Sequence, residues 1–283
     1  MNENPVASDW IASRGEKWLI HLTGMEAMLM PVNEPLIHAL CLDAPCKIAD
    51  IGCGGGATTR EILDRAPAGS IVHGFDISPA LIESARAHMR PDQNSLDFKI
   101  ADMATTPTPK EPYDRLVSRF GIMFFDDPSA AFANLVRWLA PGGRFAFAVW
   151  GPLSENLWMT SVRDIVAKIV DMPRSDPEAP GAFRYAEADK LLAVLDQAGF
   201  GELEVRDWRG LLPIGGGLSA PDAAKFALAS FSSFGDLLAQ AGDTAVNDAL
   251  QALTTRFVRN KQGGAVWMDA SVHIFTGIRR NHA

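Results

Sequence analysis

A glycine-rich segment between an apolar run and a helical pattern constrains this chain more than any other feature. Residues 48–57 read Ile-Ala-Asp-Ile-Gly-Cys-Gly-Gly-Gly-Ala, which predicts a strand, a tight turn and a helix from about Ala57 to Arg65. Glycine accepts a positive φ at low cost and lacks the Cβ that would keep a ligand away from the backbone. The helix would direct the positive end of its dipole at the same turn. The segment therefore predicts a nucleotide-like ligand.

The glycine spacing alone does not identify that ligand. Gly52, Gly54 and Ala57 match the spacing of dinucleotide-binding turns. Asp76 ends the next apolar run, residues 70–76, where a carboxylate is suited to bind ribose hydroxyls. The spacing thus allows a nicotinamide-dependent oxidoreductase, although the sequence contains no Tyr-x-x-x-Lys pair to act on a carbonyl.

Acidic residues at other predicted strand ends favour a cationic ligand. Asp50 lies two residues before Gly52, where its charge would repel a pyrophosphate but suit an amino group and a sulfonium. A later predicted strand, residues 96–100, is followed by Asp102 and Met103. The acid suits the exocyclic amine of an adenine, and the apolar side chain suits its ring face.

The remaining strands complete an alternating pattern that resembles a known family. A fourth strand is predicted at residues 113–120, a helix at 128–139 and a fifth strand at 144–150. The chain resembles the class I S-adenosylmethionine-dependent methyltransferases. Within them it is most similar to ubiquinone- and menaquinone-biosynthesis methyltransferases and to small-molecule methyltransferases of natural-product pathways. The segments that carry the resemblance are 48–56, 74–78, 101–103, 114–125 and 139–150.

The resemblance implies an α/β fold with a doubly wound, Rossmann-like sheet. Seven strands are expected, mostly parallel, with the last one antiparallel. Helical lid insertions would lie above the carboxyl ends of the strands, where such folds bind ligands. The expected regions are an N-terminal helical lid (1–45), a cofactor-binding core (46–150) and a remainder (151–283) that combines core sheet (about 186–212 and 264–280) with lid insertions (about 151–185 and 213–262). A Pro- and Asp-rich stretch, residues 172–181, is expected to be a mobile loop, and the sequence leaves open whether the lid orders when the cofactor binds.

Local signals predict where helices start and break. Ser78 is a predicted N-cap of a helix that starts at residue 79. The N-terminal helical region, residues 10–42, is predicted to break near Gly24 and Pro31. A second helical region at residues 219–260 is predicted to break at its glycines 235 and 242.

The resemblance also implies which residues hold S-adenosylmethionine. Asp50 would lie near the amino group of the methionine part, Asp76 would take the ribose hydroxyls, and Asp102 would accept from the adenine amine. The full predicted set is Asp50, Gly52, Cys53, Gly54, Asp76, Ile77, Ala101, Asp102, Met103, Ser118, Arg119 and Phe120. Methyl transfer from a sulfonium is an in-line displacement, so positioning and exclusion of water are the enzyme's main tasks.

Two residues are candidates for a catalytic role. Arg119 has three interpretations: it binds an acceptor carboxylate, it binds the carboxylate of the cofactor, or it pairs with Asp126 or Asp127. His21, one helical turn after Trp18, is the candidate general base. A surface or packing role is the alternative for His21.

The acceptor site is predicted to be apolar. The residues expected to line it are Trp18, Trp150, Asn156 and Trp158. Core packing is the alternative for Trp150 and Trp158, as it is for the phenylalanines of the second helical region, Phe226, Phe231 and Phe234. The predicted acceptor is a small, mostly apolar or aromatic metabolite that is methylated on oxygen, nitrogen or carbon. A non-catalytic protein that binds S-adenosylmethionine remains a further hypothesis.

Composition excludes several partner classes. The net charge is −8 and no basic tract is present, which argues against a nucleic-acid substrate. No run of about 18 apolar residues is present, and the first nine residues lack the layout of a signal peptide. The three cysteines are too few for a disulfide framework, and no metal-binding signature is seen. A cytoplasmic monomer or homodimer is therefore expected.

Overall fold

A seven-stranded sheet forms the centre of the molecule. The computed structural model describes residues 14–280 except 92, 94, 174, 175, 177 and 232. The strands are β1 (Lys47–Ile51), β2 (Ile71–Asp76), β3 (Leu96–Ile100), β4 (Tyr113–Arg119), β5 (Leu139–Trp150), β6 (Phe200–Pro213), the two-residue β7 (Lys261–Gln262) and β8 (Ala265–Arg279). Their order is β3-β2-β1-β4-β5-β8-β6, and β7 pairs with β8 outside this path. All pairings are parallel except those of β8, which runs antiparallel to β5, β6 and β7. The predicted fold class is confirmed.

Helices follow most of the parallel strands and also precede the sheet. They are α1 (Gly15–Ile20), α2 (Leu22–Leu29), α3 (Asn33–Ala39), α4 (Ala57–Arg65), α5 (Pro79–Ala87), α6 (Pro128–Trp138), α7 (Leu157–Val166), α8 (Ala188–Ala198), α9 (Ala220–Ser230), α10 (Phe234–Ala241) and α11 (Asp243–Val258). Short 3-10 helices lie at Met30–Val32, Ile122–Phe124, Leu153–Glu155 and Ile214–Gly216. None of these described helices has both the length and the apolar character needed to cross a bilayer.

The inner strands are apolar because helices cover both faces of a parallel sheet. Ile48, Ala49 and Ile51 of β1 are fully or almost fully buried. Capping side chains fix where the flanking helices begin: Ser78 accepts a hydrogen bond from the backbone N–H of Leu81 at the start of α5, as predicted. These constraints bring the carboxyl ends of β1, β2, β3 and β4 to one edge of the sheet.

Three predicted boundaries of helices and strands differ from those in the structure. Gly24 is inside α2, and the chain breaks instead between α1 and α2. A Cβ at Gly24 would lie 2.7 Å from the ring of Phe226, so this glycine permits the close approach of α9. Gly235 is likewise inside α10, where a Cβ would lie 2.7 Å from the carbonyl oxygen of Leu228. The fifth strand starts five residues earlier than predicted, since Pro141, Gly142 and Gly143 are part of β5, at the place where its register with β4 shifts.

The predicted breaks at Pro31 and Gly242 are confirmed, since a 3-10 helix follows α2 and Gly242 separates α10 from α11. The N-terminal helices and the C-terminal insertion meet in the structure. Lys17 of α1 forms an ion pair of 2.6 Å with Asp236 of α10, and α2 packs on the 3-10 helix at Ile214–Gly216. The predicted helical start at residue 10 and part of the Pro-rich stretch lie outside the described residues.

Candidate functional site

The glycine turn after β1 is held close to β2 and β4. The backbone N–H groups of Gly52 and of the next residue both donate to the carbonyl oxygen of Phe75, at 2.8 and 2.9 Å. Gly52 has φ +70°, and a Cβ there would lie 2.9 Å from the Cα of Gly121. Gly54 has φ +55° and only the indole nitrogen of Trp18 near its Cβ position, at 3.8 Å. The turn thus combines left-handed backbone with an approach that only glycine allows.

Asp76 closes this turn from the end of β2. Its Oδ2 accepts from the backbone N–H of Gly54 and its Oδ1 from that of Ser78, each at 2.9 Å. Burial raises the pKa of this carboxyl, and the hydrogen bonds from the backbone oppose that rise. Each oxygen keeps a further lone pair. The side chain is therefore fixed in place and still able to accept from a pair of hydroxyls.

Asp50, at the end of β1, lies below the turn and not within it. Its carboxylate is 1 % exposed, and it accepts a hydrogen bond of 2.7 Å from the hydroxyl of Thr59. Burial raises its pKa to about 6, although the charge of Arg119 acts in the opposite direction. Asp50 therefore acts on a ligand through its charge and not through direct contact.

The ends of β2 and β3 lie side by side because Asp76 pairs with Ile100. The next residue, Ala101, donates its backbone N–H to the carbonyl oxygen of Asp76 at 2.9 Å. Ile77 is partly exposed beside it. Asp102 accepts from the backbone N–H of Ala104 at 2.9 Å and from a threonine hydroxyl, so it also caps the turn that follows β3.

Aromatic rings continue the edge on the other side of the glycine turn. Phe120, just after β4, has φ +64°, a conformation that is costly for a residue other than glycine and is often found at functional sites. Its ring stacks on Trp150 with centroids 4.1 Å apart. Trp150 contacts Trp158 at 4.7 Å, and Trp158 contacts Phe231 at 4.8 Å. Phe226 lies 5.8 Å beyond Phe231. We call these five residues the aromatic wall.

Comparison with known proteins identifies the family of this fold and glycine turn. Residues 49–147 match the family model described as a methyltransferase domain. This stretch contains the glycine turn and is similar to methyltransferase domains. A trans-aconitate 2-methyltransferase of Streptomyces coelicolor is 35 % identical over 55 % of this chain and 51 % of its own length. A malonyl-[acyl-carrier protein] O-methyltransferase of Hahella chejuensis is 33 % identical over 42 % of each chain.

Solved structures show the same fold over more of the chain. The YcgJ protein of Bacillus subtilis superposes with a TM-score of 0.59 at 15 % identity, over 89 % of this chain and all of its own. A phosphoethanolamine N-methyltransferase 2 of Haemonchus contortus, solved with S-adenosyl-L-methionine, gives a TM-score of 0.58 at 15 % identity over 99 % of this chain and 61 % of its own. The chain spans about half the length of the curated relatives it matches. Those relatives are methyltransferases, so the oxidoreductase hypothesis has no support among them.

Arg119 is held by Asn33, a contact that none of its three interpretations includes. Its Nη1 donates to the side-chain oxygen of Asn33 at 2.9 Å, whereas Asp127 caps α6 by accepting from the backbone N–H of Ala130. Burial lowers the pKa of Arg119, while the charges of Glu26, Asp50 and Glu61 raise it. Sequence reasoning missed Asn33 because its hydrogen-bonding partners are 25, 28 and 86 residues away.

Three predicted cofactor residues have side chains that are buried within the protein. Ser118 is fully buried, donating to the carbonyl oxygen of Ile51 at 2.7 Å and accepting from the N–H of Gly121 at 3.2 Å. Met103 is 3 % exposed and so has almost no surface for an adenine ring. The thiol of Cys53 is buried, which raises its pKa well above the ordinary value and keeps it protonated. The buried side chains of these residues stabilise the site and do not line it.

Asn156 is also a structural residue, which corrects its predicted role in binding the acceptor. Its Nδ2 donates to the carbonyl oxygens of Gly151 and Pro152, at 3.2 and 3.0 Å. Its Oδ1 accepts from the indole N–H of Trp158 at 3.0 Å and from the backbone N–H of Ser271 at 3.1 Å. All four hydrogen-bonding positions of the amide are used within the protein, and the residue is fully buried.

The N-terminal helices bring two more predicted residues to the site. Trp18 lies against the glycine turn, with its indole nitrogen 3.8 Å from the Cβ position of Gly54, and its role in lining the acceptor pocket stays a prediction. His21, at the junction of α1 and α2, packs edge-on against Phe226 of the aromatic wall at 6.0 Å. Within the part of the chain that the structure describes, no group of His, Cys, Asp and Glu side chains is suited to hold a metal ion.

Proposed function

We propose that this protein transfers a methyl group from S-adenosylmethionine to a small, mostly apolar or aromatic metabolite by in-line displacement. One observation carries the proposal: Asp50, Asp76 and Asp102 end three adjacent strands around a glycine turn whose backbone is open to close approach. Such a turn suits a nucleoside, and three carboxylates suit one that carries positive charge.

The described residues fit this cofactor. Gly52 and Gly54 leave room for the methionine part, because a side chain at either position would be strained or would meet β4. Asp76 has lone pairs left for two ribose hydroxyls, and Ile77 and Asp102 flank the place for adenine. When bound, S-adenosylmethionine supplies an activated methyl group. The protein's own task is to hold both reactants in line and to exclude water.

The acceptor class follows from the aromatic wall. Phe120 and Trp150 lie at strand ends next to the glycine turn, and Trp158 and Phe231 pack against them, so that all four rings are buried. Stacked and edge-on rings suit a flat or apolar molecule. The matched relatives include, by name, methyltransferases for trans-aconitate, malonyl-[acyl-carrier protein] and aklanonic acid. Small acceptors of differing chemistry are thus usual among them, and O-, N- and C-methylation all fit.

Proximity accounts for most of the rate in this proposal. For acceptors that must lose a proton, His21 is the proposed base because its ring contacts the aromatic wall at Phe226. We place the lid over the acceptor at residues 1–45, 151–185 and 213–262. The three cysteines are free, which suits a reducing cytoplasm, and we expect a monomer or homodimer that acts on no nucleic acid.

An acceptor screen tests the proposal. Purified protein is incubated with S-adenosylmethionine and a panel of apolar and aromatic alcohols, amines, acids and phenols, and formation of S-adenosylhomocysteine is measured. Acceptor-dependent formation above the background without acceptor is the expected result. Turnover of NADH with carbonyl compounds, combined with no binding of S-adenosylhomocysteine, would contradict the proposal.

A further inference from the structure

A group of charged and polar side chains lies beneath the glycine turn, where five elements meet. Its members are Glu26 of α2, Asn33 of α3, Asp50 of β1, Glu61 of α4 and Arg119 of β4; we call them the charge cluster. The cluster contains three carboxylates and one guanidinium, so its net charge is negative when all are ionised.

The sheet places Asp50 and Arg119 on the same face. Asp50 pairs with Val117 across the parallel β1–β4 ladder, and Arg119 lies two residues further along β4. Because side chains alternate along a strand, residues two apart share a face. Helices α3 and α4 cover that face, since Asn33 bonds Arg119 at 2.9 Å and Thr59 bonds Asp50 at 2.7 Å.

Asn33 holds Arg119 in one orientation. An arginine only donates hydrogen bonds, so Arg119 must face the amide oxygen of Asn33. The hydroxyl of Thr58 donates to the same oxygen at 3.2 Å. The amide nitrogen therefore faces Glu61, to which it donates. Both ends of the Asn33 amide are thus used, and the residue is 2 % exposed, which leaves Arg119 little freedom to turn towards an acceptor.

We propose that Arg119 is a positioning residue for the cofactor: it keeps the buried Asp50 carboxylate ionised, so that Asp50 attracts the cationic methionine part, and Asn33 holds it there. This inference rests on the proposed function and deepens it. Arg119 then lies beneath the glycine turn and promotes binding of the cofactor, and it does not bind the carboxylate of an acceptor.

The surroundings of Asp50 show why it depends on Arg119. The groups that face it are the Thr59 hydroxyl from α4, Arg119 from β4, Asp76 from β2 and the Cys53 thiol from the turn. Arg119 is the one cation in that set. Burial is the main reason that the pKa of Asp50 is raised to about 6; the Thr59 hydroxyl and the Arg119 charge oppose the rise, and the Asp76 charge adds to it. Without Arg119, the pKa of Asp50 would rise further, towards neutral pH.

The ionisation of Asp50 determines how ligand affinity changes with pH. A ligand with an ammonium group binds best when Asp50 is ionised, so affinity falls as pH drops through about 6. Loss of Arg119 moves that fall to higher pH. An upward shift of one pH unit makes the ionised form about tenfold rarer below both values and changes little well above them. The effect of removing Arg119 therefore shrinks as pH rises.

The experiment is a titration with S-adenosylhomocysteine from pH 5.5 to 8, using the full chain and four variants. Arg119→Met removes the charge, Arg119→Lys retains it, and Asn33→Ala releases Arg119. Thr58→Val is the matched control, because it removes another hydrogen bond to Asn33 without touching Arg119. Should Arg119→Met fail to fold, as judged by circular dichroism, Asn33→Ala tests the same shift.

We expect Arg119→Met to bind about fivefold more weakly than the parent near pH 6, about eightfold more weakly at pH 5.5, and nearly equally at pH 8. Arg119→Lys and Thr58→Val should keep the parent's pH profile, and Asn33→Ala should show a smaller shift in the same direction. A loss of affinity by the same factor at every pH would overturn the inference, as would unchanged affinity with a raised KM for the acceptor. No binding by the parent at any pH would instead contradict the proposed function.

Discussion

The two halves of the sheet's carboxyl edge are built from different chemistry. Around β1, β2 and β3 the edge presents glycine backbone and the carboxylates of Asp76 and Asp102, with lone pairs left over, above the buried carboxylate of Asp50. Beyond β4 it consists of stacked, buried rings such as Trp150, while the buried amide of Asn156 is fully used within the protein. The first half is suited to one charged ligand of fixed shape, and the second to an apolar ligand whose shape can vary.

The largest expected effect is a loss of cofactor affinity caused by a substitution in the glycine turn, in the first half of the edge. Gly52→Ala places a methyl group 2.9 Å from backbone and forces a side chain into φ +70°. We expect a loss of S-adenosylhomocysteine affinity of at least about 100-fold, or about 2.7 kcal/mol, measured by calorimetry. Gly142→Ala is the matched control, since Gly142 has φ +72° with nothing within 4 Å of its Cβ position. The control should lose about 1 kcal/mol of stability and keep its affinity. Equal binding by the two variants would contradict a close approach at Gly52.

The next largest effect is a loss of stability caused by a substitution in the second half of the edge. Asn156→Ala leaves two buried carbonyls, an indole N–H and a backbone N–H without their partner. Each such loss costs about 1–3 kcal/mol, and with partial relaxation we expect the free energy of unfolding to fall by about 3–4 kcal/mol in a urea titration. Folded protein should bind S-adenosylhomocysteine as the parent does. A stable variant that has lost only acceptor turnover would mean that Asn156 binds the acceptor after all.

A smaller effect distinguishes the two halves, because a substitution in the aromatic wall should lower acceptor turnover and leave cofactor binding nearly unchanged. Trp150→Leu removes the ring that stacks on Phe120 and contacts Trp158. We expect kcat/KM for an apolar acceptor to fall about tenfold, in line with the 0.5–1.5 kcal/mol of a ring pair plus lost apolar contact, and the affinity for S-adenosylhomocysteine to change less than twofold. Trp138→Leu, on the core rings Phe75 and Tyr113, is the control and should lower stability alone. If kcat/KM for the acceptor stays at the parent's value in Trp150→Leu, the aromatic wall does not bind the acceptor.

The same contrast explains how much the sequence could predict. The glycine turn, Asp50 and Asp76 lie within one strand-turn-helix-strand unit, so local patterns predict both the fold there and the residues at the turn. Ser118 and Asn156 lie in segments that the sequence also marks, yet their polar atoms are used by the backbone of other elements. A pattern shows that a polar residue is near a strand end, but only the folded chain shows which atoms already have partners.

Contacts between distant segments were beyond local patterns. Asn33 joins Arg119 across 86 residues, and the Gly24 side of α2 meets Phe226 of α9. Both glycines inside helices, Gly24 and Gly235, were predicted as breaks because a single glycine lowers helix propensity. Their actual role is to let another helix approach, which depends on tertiary packing.

The most direct test of the account is calorimetric titration of the parent protein and the Asp76→Ala variant with S-adenosylhomocysteine. Asp97→Ala is the matched control, because Asp97 lies on β3 with an exposed side chain that pairs with Lys99. The account predicts micromolar binding by the parent and by Asp97→Ala, and a loss of at least about 100-fold for Asp76→Ala, equal to about 2.7 kcal/mol. No binding by the parent, or equal binding by Asp76→Ala, would contradict it.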